Sequence, residues 1–206
     1  MFSLLRSPRV MRAVVIVVAA TFLIGFAGIF AFAGMELPLG SPEPAGNELA
    51  EQVDEYVRSL QAEIETYEGY GPDELQARDM RYLGDLYFQL AQTLNYYYGE
   101  NVDEELHQAL DAYSRALHLD PDETTALLAK AITQSALGQL DEAQSSYEAF
   151  LDIHPDHFDG QASYTHLLIL KERTDEAVQQ MERLRTLADG EQDEAVIEEL
   201  EQMLAQ

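Results

Sequence analysis

The sequence predicts an all-α chain: an N-terminal transmembrane helix, then about three helix hairpins with one extra helix before them and a capping helix after them. Two observations carry this. A pattern running from Ala109 to Pro155 repeats at a step of 34 residues, and the 23 residues from Ala13 to Met35 hold no charge. In the repeat, Ala109, Tyr113, Leu117, Pro121 and Asp122 recur as Ala143, Tyr147, Leu151, Pro155 and Asp156. A weaker third pass sets Asp175, Glu176 and Ala177 against Asp141, Glu142 and Ala143, with Met181 where Tyr147 stood.

The repeated residues have a physical sense. Ala109 and Ala143 fall at the start of second helices, where the two helices of a hairpin approach closely and anything larger than a methyl would separate them. Tyr113 and Tyr147 lie one turn further along the same face. Pro121 and Pro155 lack an N–H and clash with the preceding turn, so each ends one unit and begins the next. This period and residue set resemble the tetratricopeptide repeat (TPR), a helix-turn-helix unit that stacks into an α-solenoid. The resemblance covers about Ala77 to Leu187 and is specific for fold more than for function.

Composition bounds the rest. With 206 residues, 47% of them hydrophobic, the chain can bury a core in one folded domain beyond its N-terminal segment. The absence of cysteine excludes disulfides, thiol catalysis and thiolate metal sites. From Glu36 to Gln206 nine basic residues face 38 acidic ones, a net charge of −29. Such a domain repels phosphate backbones, so nucleic acid is not expected as a partner; the charge reads first as a solubility coat and second as a preference for basic partners.

Residues 1–12 form a basic N-terminus with Arg6, Arg9 and Arg12, and 13–35 would make about 35 Å of helix, enough for a hydrocarbon core of about 30 Å. Arginines before the span and none after it until Arg58 place the N-terminus inside and the remainder extracytoplasmic, on a single-pass protein of the cytoplasmic (plasma) membrane. Ala31-Phe32-Ala33 would suit a cleaved signal peptide, but the apolar run is longer than such peptides use, which favours an uncleaved signal-anchor. Residues 36–46, with Pro38, Gly40, Pro42, Pro44 and Gly46, read as an extended linker.

Residues 47–71 form an N-terminal helix and turn, capped by Asn47 and carrying a stripe of Leu49, Val53, Tyr56, Leu60, Ile64 and Tyr67. The stripe is too short for a coiled coil, so packing against the repeats is expected. Gly69-Tyr70-Gly71-Pro72 ends it.

Residues 72–190 hold the TPR-like repeats. A long helix is expected from Pro72 or Asp73 to Tyr98, with Gly99 at its end. Met80, Leu83, Gly84 and Tyr87 match a first TPR helix, but 13 extra residues separate Tyr87 from Ala109 when Gly84 is aligned with Ala131. They include Tyr96-Tyr97-Tyr98, which either cap the core or form an exposed aromatic patch, and capping is the favoured reading. The second unit runs from about Thr124 to Pro155 and the third from about Phe158 to Leu187, with a turn at Glu172-Arg173-Thr174. Residues 191–206, with Ala195, Ile197, Leu200, Met203 and Leu204, read as the amphipathic cap a solenoid needs to stop.

No phosphate loop, nucleophile elbow or metalloprotease His-Glu pair is present, and the chain is read as non-enzymatic, without cofactor or metal. His154-Pro155-Asp156-His157 with Asp152 has the residue types of a metal site, but polar residues are ordinary at an inter-unit turn.

The TPR resemblance implies a concave peptide groove lined by first helices. Transferred position by position, it is Arg78, Arg81, Asp85 and Phe88; then Thr125, Leu128, Ile132 and Ser135; then Asp159, Ala162, His166 and Ile169. The lysines and asparagines of the carboxylate-clamp subclass are absent, so a C-terminal carboxylate is not the expected ligand. An apolar centre and two arginines at one end suit a peptide with hydrophobic anchors. The leading reading is a membrane-anchored, bacterial-type TPR interaction module acting as scaffold or assembly factor for an envelope complex. The alternative is a permanent accessory subunit held mainly through its transmembrane helix.

Overall fold

A computed structural model describes residues 47–71 and 74–205, all of them helix or short connection. The span at Ala13–Met35, the linker, and the side chains of Asn47 and Leu49 lie outside the described set. Among the described residues no helix is long and apolar enough to cross a membrane.

Among the described residues eight helices follow one another: α1 Asn47–Glu68, α2 Ala77–Tyr98, α3 Asp103–Leu119, α4 Thr124–Ala136, α5 Leu140–Ile153, α6 Phe158–Leu170, α7 Thr174–Leu187 and α8 Glu191–Leu204. Pairs α2/α3, α4/α5 and α6/α7 form the hairpins, and each leans on the next through α3/α4 and α5/α6. First helices also touch their counterparts, α2 on α4 and α4 on α6. This is a TPR-like array built from near neighbours in sequence.

The period of 34 survives into the coordinates. Helices α4 and α6 are both 13 residues long and begin at Thr124 and Phe158; α5 and α7 are both 14 and begin at Leu140 and Thr174. Ala109, Ala143 and Ala177 are each 0% exposed, and Tyr113, Tyr147 and Met181 are buried one turn later. Pro121 and Pro155 sit in matching four-residue connections. The turns inside units two and three share their hydrogen bonds: Gln139 N–H donates to the Gln134 carbonyl at 2.9 Å, and Arg173 N–H to the Leu168 carbonyl at 2.9 Å. The residue before each donor is left-handed, Gly138 at φ 70° and Glu172 at φ 57°.

The 13 extra residues of the first unit are absorbed by helix and loop. The first helix α2 has 22 residues where α4 has 13, the second helix α3 has 17 where α5 has 14, and their connection is one residue longer. The longer hairpin gives α1 its seat. Val53, Val57, Leu60 and Ile64 pack on Leu83, Leu86 and Leu90 of α2 and Ala112 of α3, so the expected stripe meets the repeats, with Val57 an addition to it. Tyr97 closes that core from the side while Tyr98 donates its hydroxyl proton to Asp54 of α1, so two of the three tyrosines tie α2 to α1.

One boundary and one helix face differ from expectation. Helix α2 starts at Ala77 rather than at Pro72 or Asp73, because the chain first turns: Glu74 N–H donates to the Gly71 carbonyl at 3.0 Å, and the Asp79 carboxylate accepts from Gln76 N–H at 3.0 Å at the helix entrance. In α8 the buried face is Val196, Ile197, Leu200 and Met203, and Ala195 is exposed. That face covers α6 and α7, meeting Ala162, Met181 and Leu184.

Candidate peptide groove

The first helices of units two and three are almost free of charge. Lys130 is the one charged residue in α4, and Asp159 is the one acidic residue in α6. Their second helices are different: α5 carries Asp141, Glu142, Glu148 and Asp152, and α7 carries Asp175, Glu176 and Glu182. In units two and three the acidic charge of the helices is therefore carried mainly on the second helices, while the first helices are nearly neutral and largely apolar.

At that centre Leu128, Ile132 and Ile169 are half-buried and pack against one core cluster with Ala131, Tyr147, Tyr164 and Leu167. Leu204 of α8 joins the same cluster, a contribution the residue-by-residue transfer missed although the terminal amphipathic helix signalled it. Ser135 donates its hydroxyl to the Ala131 carbonyl at 3.1 Å. Thr125 is exposed at the edge.

In the first unit the predicted positions do separate things. Arg78 is exposed. Arg81 is three-quarters buried, paired with Asp85 on its own helix and 3.8 Å from Glu123 just ahead of α4. Asp85 in turn accepts from the Tyr113 hydroxyl at 3.0 Å. Burial lifts the Asp85 carboxyl above its ordinary range, against the pull of Arg81 and the Tyr113 hydroxyl. Burial raises Tyr113 as well, so its proton stays on and the donor role is fixed. Arg81 thus clamps unit one to unit two. Phe88 is half-buried and packs against two core clusters, one holding Met80 and Tyr113 and the other Ala91 and Leu106.

The third unit is where the sequence and the coordinates part. Ala162 is 4% exposed under the apolar face of α8, and His166 is 3% exposed, with burial pushing its pKa down to about 4. Neither lies on an open surface; Asp159 does, and Ile169 is half-covered. The cover over Ala162 comes from α8 at the far end of the chain, which a per-unit alignment does not see. Of the twelve groove positions, Arg78, Thr125 and Asp159 are exposed, Ala162 and His166 are buried, and the other seven are half-buried.

The histidines at the inter-unit turn have structural tasks. His154 Nε2 lies 3.0 Å from the Thr124 hydroxyl, and His157 Nδ1 accepts from Gly160 N–H at 3.2 Å, capping α6. Among the described residues no group of three or more His, Asp or Glu side chains is placed to hold a metal ion.

No family model and no curated protein matches the chain. Two solved structures of MamA match it. One is 18% identical, with a TM-score of 0.37, covering 66% of this chain and 82% of that one. The other is 16% identical, with a TM-score of 0.37, covering 72% of this chain and 94% of that one. The TPR-like description rests on the repeat geometry of this chain itself.

Proposed function

We propose that this protein is a membrane-anchored, extracytoplasmic interaction module, a scaffold or assembly factor that holds a protein partner by a segment with apolar anchors. The observation that carries the reading is the partition of charge: a neutral first-helix face with half-buried Leu128 and Ile132, set in a domain of −29. Apolar side chains in such a setting favour a partner that covers them, and the acidic surround favours basic flanks. Membrane anchoring is supported by the uncharged run Ala13–Met35 and the arginines before it, and orientation by their asymmetry.

The second reading, an accessory subunit bound through its span, is favoured by the inward packing of Leu128 and Ile132 on the core. Replacing Ala13–Met35 with an unrelated span separates the two. A photoreactive residue at Thr125 should still crosslink the same protein in intact membranes if the repeats hold the partner. Loss of the crosslink on swapping the span would overturn the groove reading.

A further inference from the structure

At the opposite end of the array from α8, where α1 turns toward α2, the chain leaves an open recess of ≈ 760 Å³ that the groove does not use. Two tyrosine rings line it, Tyr67 and Tyr70, which meet edge to face at 6.1 Å between centroids, and Tyr82 packs behind Tyr67 at 5.4 Å. Tyr70 is 50% exposed. The recess is lined by Tyr67 and Tyr70 together with three carboxylates, Glu63, Glu74 and Asp79, and among the described residues by no lysine or arginine, although Arg115 lines the adjoining hollow on the other side of the same two tyrosines. Each carboxylate is held by a neutral donor. Glu63 accepts from the Tyr82 hydroxyl at 2.9 Å, Glu74 from Gly71 N–H at 2.8 Å and Asp79 from Gln76 N–H at 3.0 Å.

None of the three takes part in an ion pair among the described residues, although eight such contacts exist elsewhere in the array. Positioned negative charge beside exposed aromatic rings is the environment that attracts an organic cation, since the ring faces are themselves negative. A guanidinium suits it better than an ammonium: it is planar, weakly hydrated, and can stack on a ring while its fork of N–H groups reaches carboxylates on either side. The recess is also too wide and open for a small ion. We infer that it docks an arginine side chain carried on a basic segment of a partner protein.

The domain's overall charge would attract any polycation, so the test must separate a site from a field. The full-length chain in detergent is titrated with a labelled hexa-arginine peptide, read by fluorescence anisotropy. Tyr70→Leu keeps every charge and alters an exposed side chain, and should weaken binding by about two- to fivefold, the range of a cation–π contact at an exposed site. Glu63→Gln/Glu74→Gln should weaken it more than Glu194→Gln/Glu198→Gln, which removes the same charge from α8. Circular dichroism checks the fold of each variant. Equal losses from the two charge pairs, an unchanged Tyr70→Leu affinity, or no binding by the unaltered chain would each overturn the site.

Discussion

The ring of Tyr113 occupies the place where a side chain on Gly84 would begin: a Cβ there would fall 2.5 Å from one ring carbon and 2.7 Å from the next. Gly84 on α2 and Tyr113 on α3 are thus one packing unit, and the matching positions in later units read Ala131 with Tyr147 and Thr165 with Met181. Gly84→Ala should force the first hairpin apart and cost about 1 to 3 kcal/mol, the usual size of overpacking in a tight core. Urea unfolding of the variant and the parent measures it. An unchanged midpoint would mean that the ring shifts freely.

A second local test uses the turn shared by units two and three. Glu172 adopts φ 57° where Gly138 adopts φ 70°, and a side chain in that region is strained by Cβ contact with its own carbonyl. Glu172→Gly should stabilise the chain by about 0.5 to 1 kcal/mol, the strain relieved less the glycine's greater entropy in the unfolded state. Gly138→Glu should do the reverse. Thermal melts of the two variants check the pair, and a shift of the same sign in both would refute the account.

The repeat was legible because each of its residues acts on a near neighbour. Ala143 is small for the helix beside it, Pro155 stops the helix it would otherwise extend, and both effects are settled within one unit of 34 residues. The same locality explains what was missed. Ala162 aligns with open groove positions, yet its burial accompanies a cap supplied by α8, an element no unit contains. Asp85 aligns likewise, but its partner Tyr113 stands on the next helix and 28 residues away. The 13 extra residues of unit one could be counted in the sequence, while their division between α2, the loop and α3 depended on where the helices find cover from α1.

His166 gives a pH test. Its folded pKa is lowered to about 4 by burial, below the ordinary value of 6.5, so between those values the unfolded chain holds a proton that the folded chain does not. Stability from this group is therefore full above pH 6.5 and is lost as pH falls toward 4, by up to roughly 3 kcal/mol at 1.36 kcal/mol per unit. Falling pH also relieves carboxylate repulsion, with the opposite sign, so the comparison is with His166→Gln. The parent should lose stability relative to that variant across this window, and parallel curves would count against a buried neutral imidazole.

Salt should act in the direction set by net charge. The surface ion pairs of α7, such as Arg183 with Asp156 at 3.2 Å and Arg185 with Glu182 at 2.7 Å, are weakened by screening, but each contributes little. Repulsion summed over −29 is screened at the same time. A fragment from Glu36 to Gln206 should be helical and should melt at higher temperature in 0.5 M salt than in 0.02 M, both values chosen to bracket a Debye length of about 10 Å. A falling melting temperature would mean that the pairs outweigh the field.

Arg78 and Arg81 should separate binding from folding. Arg81 is tied between Asp85 and Glu123, with 23% of its side chain exposed, while Arg78 lies on the surface one turn earlier. Arg81→Gln leaves a three-quarters-buried carboxylate without its cation, and should cost about 1 to 3 kcal/mol at pH 7. Burial already raises the Asp85 carboxyl, and losing Arg81 removes the strongest influence holding it down. A carboxyl whose folded pKa is raised gains stability as pH falls through that value, so the deficit should shrink on acidification from pH 7 to 5. Arg78→Gln should stay within about 0.5 kcal/mol of the parent at both pH values, as exposed substitutions usually do. Urea unfolding of both variants at the two pH values decides it: equal and pH-independent effects would show that the clamp between units one and two contributes nothing, and would return Arg81 to the set of residues available to a partner.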